Sequence, residues 1–251
     1  VYYQESTTIS NNTITSDPLA SNVYGIYAYN LDNNVSSIVN GYPVNGPSTI
    51  TNNTITVTGT STTYGINAYF CYYGMQILNN KIYVYGNSSS DRYGIYGYYL
   101  YQGQGMKMVK NKIYMLASGS GYNYGLYTYS IYPASIGQNL VANNFIVQQN
   151  GTGNTYGIYA YYTGSIMYYH NSVNINGGNS TSYAGYFYSP SNSSSYMGNE
   201  NKNNVYAVTG SGGGCAIFVN SGSITTYSPF STTSACNNND YYVSSSSMYL
   251  G

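Results

Sequence analysis

Charge is what this sequence has least of. Of its 251 residues only 5% are charged, six basic against six acidic, for a net charge of zero. An ordinary domain carries about a quarter. Nucleic-acid binders display a basic patch or stripe, so nothing in the composition favours nucleic acid or an anionic membrane surface as a partner. Tryptophan is absent, and there is one histidine, His170. A lone His with three scattered cysteines makes no transition-metal set. Three cysteines are too few for a disulfide scaffold; Cys215 and Cys236 are a candidate pair, with buried or free thiols the alternative. No run of 18 apolar residues exists to span a membrane as a helix. No phosphate loop, dinucleotide fingerprint or nucleophile–base motif is present, so no cofactor is expected. The chain lacks an initiator methionine and a signal peptide, and opens in what reads as the middle of a repeat. It is expected to be a mature product or a piece of a longer protein.

What is abundant is tyrosine, 38 residues of it, and it recurs in a pattern. Tyr24-Gly-Ile-Tyr-Ala-Tyr29 returns at Tyr64, Tyr93, Tyr124 and Tyr156, and in weaker form at Tyr183 and Gly214. The steps are 40, 29, 31, 32, 27 and 31 residues. A second motif, Asn-x-Ile/Val, runs in phase with it. Its asparagines are Asn12, Asn53, Asn80, Asn111, Asn144, Asn171 and Asn203. A period near 30 marks a repeat architecture, in which one unit cannot bury its own apolar face and successive units must stack.

Each repeat reads as three short strands. Three residues ahead of the motif Asn lies the column Ile9, Ile50, Ile77, Met108, Val141, Tyr168 and Glu200, apolar until its last member. After the Asn, segments such as Ile82-Tyr-Val-Tyr85 alternate with period 2 and mark a strand with one buried face. Ile55/Val57, Ile82/Val84, Ile113/Met115 and Val173/Ile175 point inward on this reading, with Tyr83, Tyr85, Tyr114 and Tyr206 outside. A Gly/Ser/Asn-rich turn follows, then the Tyr-Gly-Ile-Tyr strand. No helical period is sustained, and the composition favours strand. The sequence therefore predicts a single all-β domain over 1–251, a right-handed parallel β-helix of about seven to eight three-strand turns with an Asn ladder at one bend. Residues 30–47 read as an insertion loop and 220–251 as an irregular last turn.

At residues 7–219 the in-phase motifs resemble the right-handed parallel β-helix (pectate-lyase-like) superfamily, whose members carry an asparagine ladder at one bend. The chain is similar to its non-catalytic bacterial surface repeat proteins. The resemblance implies fold; the superfamily's functions range from lyases and hydrolases to phage tailspikes and surface proteins.

Its enzymes use clustered acids. Here Glu5, Asp17, Asp32, Asp91, Glu200 and Asp240 fall in different repeats, and no pair is placed for the ~5–10 Å separation of a two-carboxylate site. Asp91-Arg92 reads as a solvated turn pair. His170 falls in the polar column before the motif Asn, with Asn11, Asn52, Asn79, Lys110, Asn143 and Lys202. Thr54-x-Thr56-x-Thr58 suggests an ice-binding array, but its columns do not persist in neighbouring turns.

With the isoleucines inward, alternation puts two columns outside: Tyr27, Asn67, Tyr96, Tyr127, Tyr159, Tyr186, and Tyr29, Tyr69, Tyr98, Tyr129, Tyr161, Tyr188. Glycines 25, 65, 94, 125 and 157 share that outer face. One column could be scaffold alone; two make an exposed aromatic surface of the kind that marks a contact site. The expected function is a non-catalytic extracellular structural or adhesive protein at a bacterial surface, its tyrosine ladder serving self-association or polysaccharide contact. The alternatives are a carbohydrate-active lyase or hydrolase with a site near Asp91, Arg92 and the 30–47 loop, or a tailspike-like glycan binder.

Overall fold

A computed structural model describes residues 1–32, 38–39, 42–43, 45–100, 105–131, 139–163, 166–177, 181–188, 199–209, 212–220, 236–244 and 248–249. The chain coils as a parallel β-solenoid. Its strands assemble into three eight-stranded sheets, each coil contributing one strand to each, and every pairing within them is parallel. The lead sheet comprises strands such as Gln76–Leu78 and Lys107–Val109. The Asn sheet includes Lys81–Tyr85 and Lys112–Met115. The tyrosine sheet includes Arg92–Tyr98 and Asn123–Tyr129. Inside the 30–47 insertion, Ile38–Val39 and Tyr42–Pro43 form a short antiparallel pair apart from the coil.

The core is a bundle of axial columns. Ile50, Ile77, Met108 and Val141 from the lead sheet, Ile55, Ile82 and Ile113 from the Asn sheet, and Ile66, Ile95 and Leu126 from the tyrosine sheet are fully buried. In-register pairing sets like on like, as with Ile82 on Ile55 and Ile113. Each such side chain contributes ~1.5–3 kcal/mol by leaving water. One coil departs from the pattern. Gly185 stands where its neighbours have Ile158 and Ile217. Phe187, where they have Ala160 and Val219, fills the space against Tyr168, with ring centroids 5.0 Å apart.

The lead sheet turns into the Asn sheet through two residues. The first has left-handed φ: Asn11 (58°), Asn52 (57°), Asn79 (55°), Lys110 (60°), Asn143 (56°), His170 (55°), Asn203 (57°) and Asn238 (53°). Asparagine tolerates that region best, which explains its prevalence. The second residue is the ladder asparagine. In each rung Oδ1 accepts both the backbone N–H and the Nδ2 of the preceding asparagine, as Asn111 Oδ1 does from Asn80 at 3.1 Å each. Nδ2 also reaches back to a carbonyl one coil earlier: Asn80 donates to Ile50 O and Asn111 to Ile77 O, both at 2.9 Å. Every buried amide in the run is thereby satisfied.

The ladder corrects the sequence reading at its far end. Its seventh member is Asn204, not Asn203, and Asn239 is an eighth. Asn203 is instead the left-handed residue, replacing Lys202 in the His170 column. The shift of one residue puts Asn201, not Glu200, in the inward column, and buries Tyr206, which the sequence places outside. The tyrosine motif shifts with it: Cys215, not Gly214, lies beside Tyr183.

Candidate functional site

The tyrosine sheet carries the site, and its local geometry departs from simple alternation. In Tyr24-Gly-Ile-Tyr, the glycine turns inward together with the isoleucine. A Cβ on Gly65 would stand 2.4 Å from Ile82 Cγ2 and 2.5 Å from the Gly94 carbonyl. The glycine column is therefore an interior close-approach column, not part of the outer face. The register confirms a local break, since pairing passes from Tyr93↔Tyr124 to Ile95↔Leu126. Two consecutive inward residues flip the preceding tyrosine outward.

The consequence is a third tyrosine column that alternation does not anticipate: Tyr24, Tyr64, Tyr93, Tyr124, Tyr156 and Tyr183. Its rings stack along the axis at 4.9, 4.8, 4.9, 5.0 and 5.5 Å. The expected columns are also present. Tyr96, Tyr127, Tyr159 and Tyr186 stack at 4.9, 5.0 and 4.8 Å. Tyr29, Tyr69, Tyr98, Tyr129, Tyr161 and Tyr188 stack at 5.7, 4.7, 4.7, 5.4 and 4.6 Å. Tyr27 lies at the end of the middle column, tilted against Tyr24 at 5.0 Å, and Asn67 interrupts it with a buried amide. A fourth aromatic strip occupies the bend that follows, at the left-handed residues Phe70, Tyr99 and Tyr162. Their rings meet the Tyr29–Tyr188 column edge-on, as Tyr99 does Tyr98 at 4.4 Å. The first two columns also interlock edge to face, Tyr93 with Tyr96 at 5.0 Å and Tyr124 with Tyr127 at 5.1 Å.

This array is not the fully exposed aromatic sheet that two alternating columns imply. Most rings are half-buried, and Tyr124 is only 8% exposed. Ring faces are occupied by the rings above and below, so the surface presents edges and phenolic hydroxyls. Burial raises the phenols: Tyr64, Tyr98, Tyr156 and Tyr161 are pushed up to about 12. Tyr93, Tyr96, Tyr124, Tyr127 and Tyr159 are raised as well, desolvation again coming first. The face is thus neutral across the physiological range.

The candidate catalytic groups do not converge. Arg92 is fully buried and points into the solenoid, so it is no solvated partner of Asp91. Its Nη1 donates to Asn123 Oδ1 at 3.1 Å and its Nη2 to the Ser88 carbonyl. It belongs to an inward polar column, Thr63, Arg92, Asn123, Thr155 and Ser182, beneath the Gly/Ser-rich bends. Asp91 accepts the Tyr122 backbone N–H at 3.1 Å. Asp32 is buried and accepts the N–H groups of Ser6 and Ser48 at 2.6 and 2.8 Å. Asp91 immediately precedes a tyrosine strand, Arg92–Tyr98, whereas Asn30, where the insertion begins, follows one, Val23–Tyr29; a seven-residue strand is ~20 Å long. Glu200 receives the Tyr169 hydroxyl and pairs with Lys202 at 3.2 Å. Among the described residues there is no group of three His, Cys, Asp or Glu positioned to hold a metal.

The candidate Cys215–Cys236 pairing rests on the Cys236 side chain, which lies outside the described residues; their strands belong to different sheets. Comparison with known proteins returned no matching family model, no matching curated protein and no matching solved structure.

Proposed function

We propose that this chain is a non-catalytic structural or adhesive protein of a bacterial cell surface or extracellular matrix, and that its tyrosine face is a lateral contact surface for neighbouring copies or neighbouring surface proteins. The observation that carries this reading is the axial continuity of three tyrosine columns, unbroken in the first from Tyr24 to Tyr183. Rings already ordered by their neighbours lose little side-chain entropy on contact, and phenols offer apolar area with a polar tip. Repetition every ~4.8 Å multiplies a weak contact per rung. The acids support the same reading, since Asp32 and Asp91 hold backbone N–H groups.

Polysaccharide contact is the second reading. Because the ring faces are taken up by stacking, a glycan would meet hydroxyls and ring edges rather than lie flat on the rings. Kinship with the pectate-lyase-like superfamily is part of the proposal, on the strength of the coil and its ladder; an experimental structure with a left-handed coil would rule it out.

The test replaces Tyr96, Tyr98, Tyr127 and Tyr129 together by serine. The fold is checked by circular dichroism, self-association by sedimentation and glycan binding by pull-down. The reading requires association to fall while the fold survives, with little dependence on salt. Unchanged association with a lowered melting temperature would make the tyrosines scaffold only.

A further inference from the structure

The few cations of this chain are not dispersed. Half of the six basic residues, Lys81, Lys110 and Lys112, line one groove of about 520 Å³ over the Asn bend, together with Asn79, Asn143 and Phe145. That volume is in the range of small-ligand sites, ~300–1,000 Å³. We propose that this groove binds an anionic saccharide, its negative groups being carboxylate or sulfate.

The fold builds the groove from two columns flanking the ladder. One wall is the left-handed residues Asn79, Lys110 and Asn143 on three successive coils. The other is the first strand residues, Lys81, Lys112 and Phe145, which are direct neighbours in register. The buried ladder amide of Asn80 lies between them. All six flanking residues are exposed. Lys81 Nζ lies 5.2 Å from the centre of the Tyr83 ring, and its side-chain hydrogen bond to Tyr83 raises the ammonium above its ordinary value. No acidic side chain lines the groove.

The chemistry of the lining selects the ligand. Lys81 and Lys112 stack on adjacent coils, ~4.8 Å apart along the axis, and Lys110 stands across the ladder residue Asn111 on the Lys112 coil, so that two charges in line with a third beside them match negative groups repeated along a chain. The exposed amides of Asn79 and Asn143 can both donate to and accept from hydroxyls. Phe145, 42% exposed, offers a ring to the apolar C–H face of a sugar. Nucleic acid is disfavoured, because such binders carry a broad basic surface and this chain has zero net charge and pI ≈ 6.7. A membrane surface is disfavoured too, since three lysines contribute only ~1 kcal/mol each there.

The same register supplies substitutions that the fold already accepts. The first two coils have Asn11 and Asn52 where the groove has Lys110, and Thr13 and Thr54 where it has Lys81 and Lys112. The experiment is calorimetric titration of the full chain with oligogalacturonate, with a sulfated glycosaminoglycan fragment and with a neutral oligogalactan, repeated for the Lys81→Thr/Lys110→Asn/Lys112→Thr variant. Binding of either anionic oligomer, weakening as salt rises, and about a tenfold or greater loss in the triple variant are expected. Phe145→Ser, the residue found at Ser172 in the next coil, should weaken binding while leaving its salt dependence. Should the triple variant not fold, Lys112→Gln alone, read against the same salt series, serves in its place. The proposal fails if neither anionic oligomer binds, if the lysine variant binds as well as the parent, or if RNA or phosphatidylserine vesicles bind more tightly. The site is independent of the tyrosine face, and the four-tyrosine serine variant should retain it.

Discussion

Inside the solenoid, the guanidinium of Arg92 leans on the amide of Asn123, Nη1 to Oδ1 at 3.1 Å, and its hydrogen-bond acceptors, Asn123 and Ser88, are neutral. The only ion pair among the described residues is Lys202–Glu200. Nε of Arg92 is buried without a partner, and burial lowers the guanidinium below its ordinary value. A buried cation held by neutral acceptors is worth less than a polar residue that fits. The other coils have Thr63 and Thr155 at this position. Arg92→Thr is therefore expected to be neutral or stabilising by about 1 kcal/mol. Asn123→Ala, which strips the guanidinium of an acceptor, should cost about 2–4 kcal/mol. In the double variant most of that cost should vanish; urea denaturation of all three reads the coupling.

Asn111 sits mid-ladder. Asn111→Ala removes the acceptor for Asn80 N and Nδ2 and both of its own side-chain donations, to Ile77 O and Asn144 Oδ1. The loss should be about 3–5 kcal/mol, because buried partners are left unmet. At the open end, Asn12 is exposed and donates only to Asn53. Asn12→Ala should cost about 1 kcal/mol or less. Equal losses at the two positions would contradict a ladder acting as a buried network.

Two glycines of the tyrosine sheet separate sterics from packing. Gly125→Ala would bring a Cβ to 2.4 Å from Ile146 Cγ2 and 2.7 Å from the Gly157 carbonyl. Backbone cannot yield there, so a loss of about 2–4 kcal/mol is expected. Gly97→Ala meets the flexible tip of Met108 at 2.6 Å, at a position where other coils have Ala68 and Ala160. It should be neutral or stabilise by up to about 1 kcal/mol through a stiffer unfolded chain. Thermal melts of the two variants should move in different directions, or one not at all.

Alkali should loosen the fold by a defined route. Burial holds a set of the stacked phenols above the ordinary value in the folded state, Tyr64, Tyr98, Tyr156 and Tyr161 at about 12 and Tyr93, Tyr96, Tyr124, Tyr127 and Tyr159 raised as well. Unfolded tyrosine titrates near 10. The folded state therefore holds its protons more tightly, so stability is complete below pH ~10 and falls as pH rises toward 12 and beyond. Absorbance titration should show a late fraction of the phenolate, that of the buried stack, appearing together with loss of β-sheet circular dichroism. Full ionisation near pH 10 with the sheet intact would rule out the stacked array.

The coil, its three strands and six ladder positions were legible in the sequence because each core column repeats one residue type at one phase. Reading failed where phase is ambiguous. Asn203 and Asn204 are adjacent, and Val205 imitates the inward isoleucine; only the burial of Tyr206 reveals which asparagine bends the chain. Period 2 likewise cannot show that Gly94 and Ile95 both turn inward, so the column containing Tyr93 escaped notice. The available clue was the recurrence of Tyr and Gly together, a sign of close backbone approach rather than of an open surface. Arg92 was misread because a charge beside Asp91 suggests a surface pair, whereas Gly86 and Gly119 leave space for the guanidinium inside. The lysine groove escaped because Lys81 is distant in number from Lys110 and Lys112 and meets them only through register.

Because every rung bonds only to the rung above and below, length is a free variable of this molecule. The step from Asn80 to Asn111 spans one complete coil. Excising it would join Asn53 to Asn111 and set Ile55 on Ile113, the same contacts already made by Ile82 with each of them. Recombination between any two copies of the Asn motif therefore yields an in-phase product with an intact ladder and continuous tyrosine columns. The chain can thus be one coil longer or shorter with its ladder still in phase, because each coil is held by its immediate neighbours.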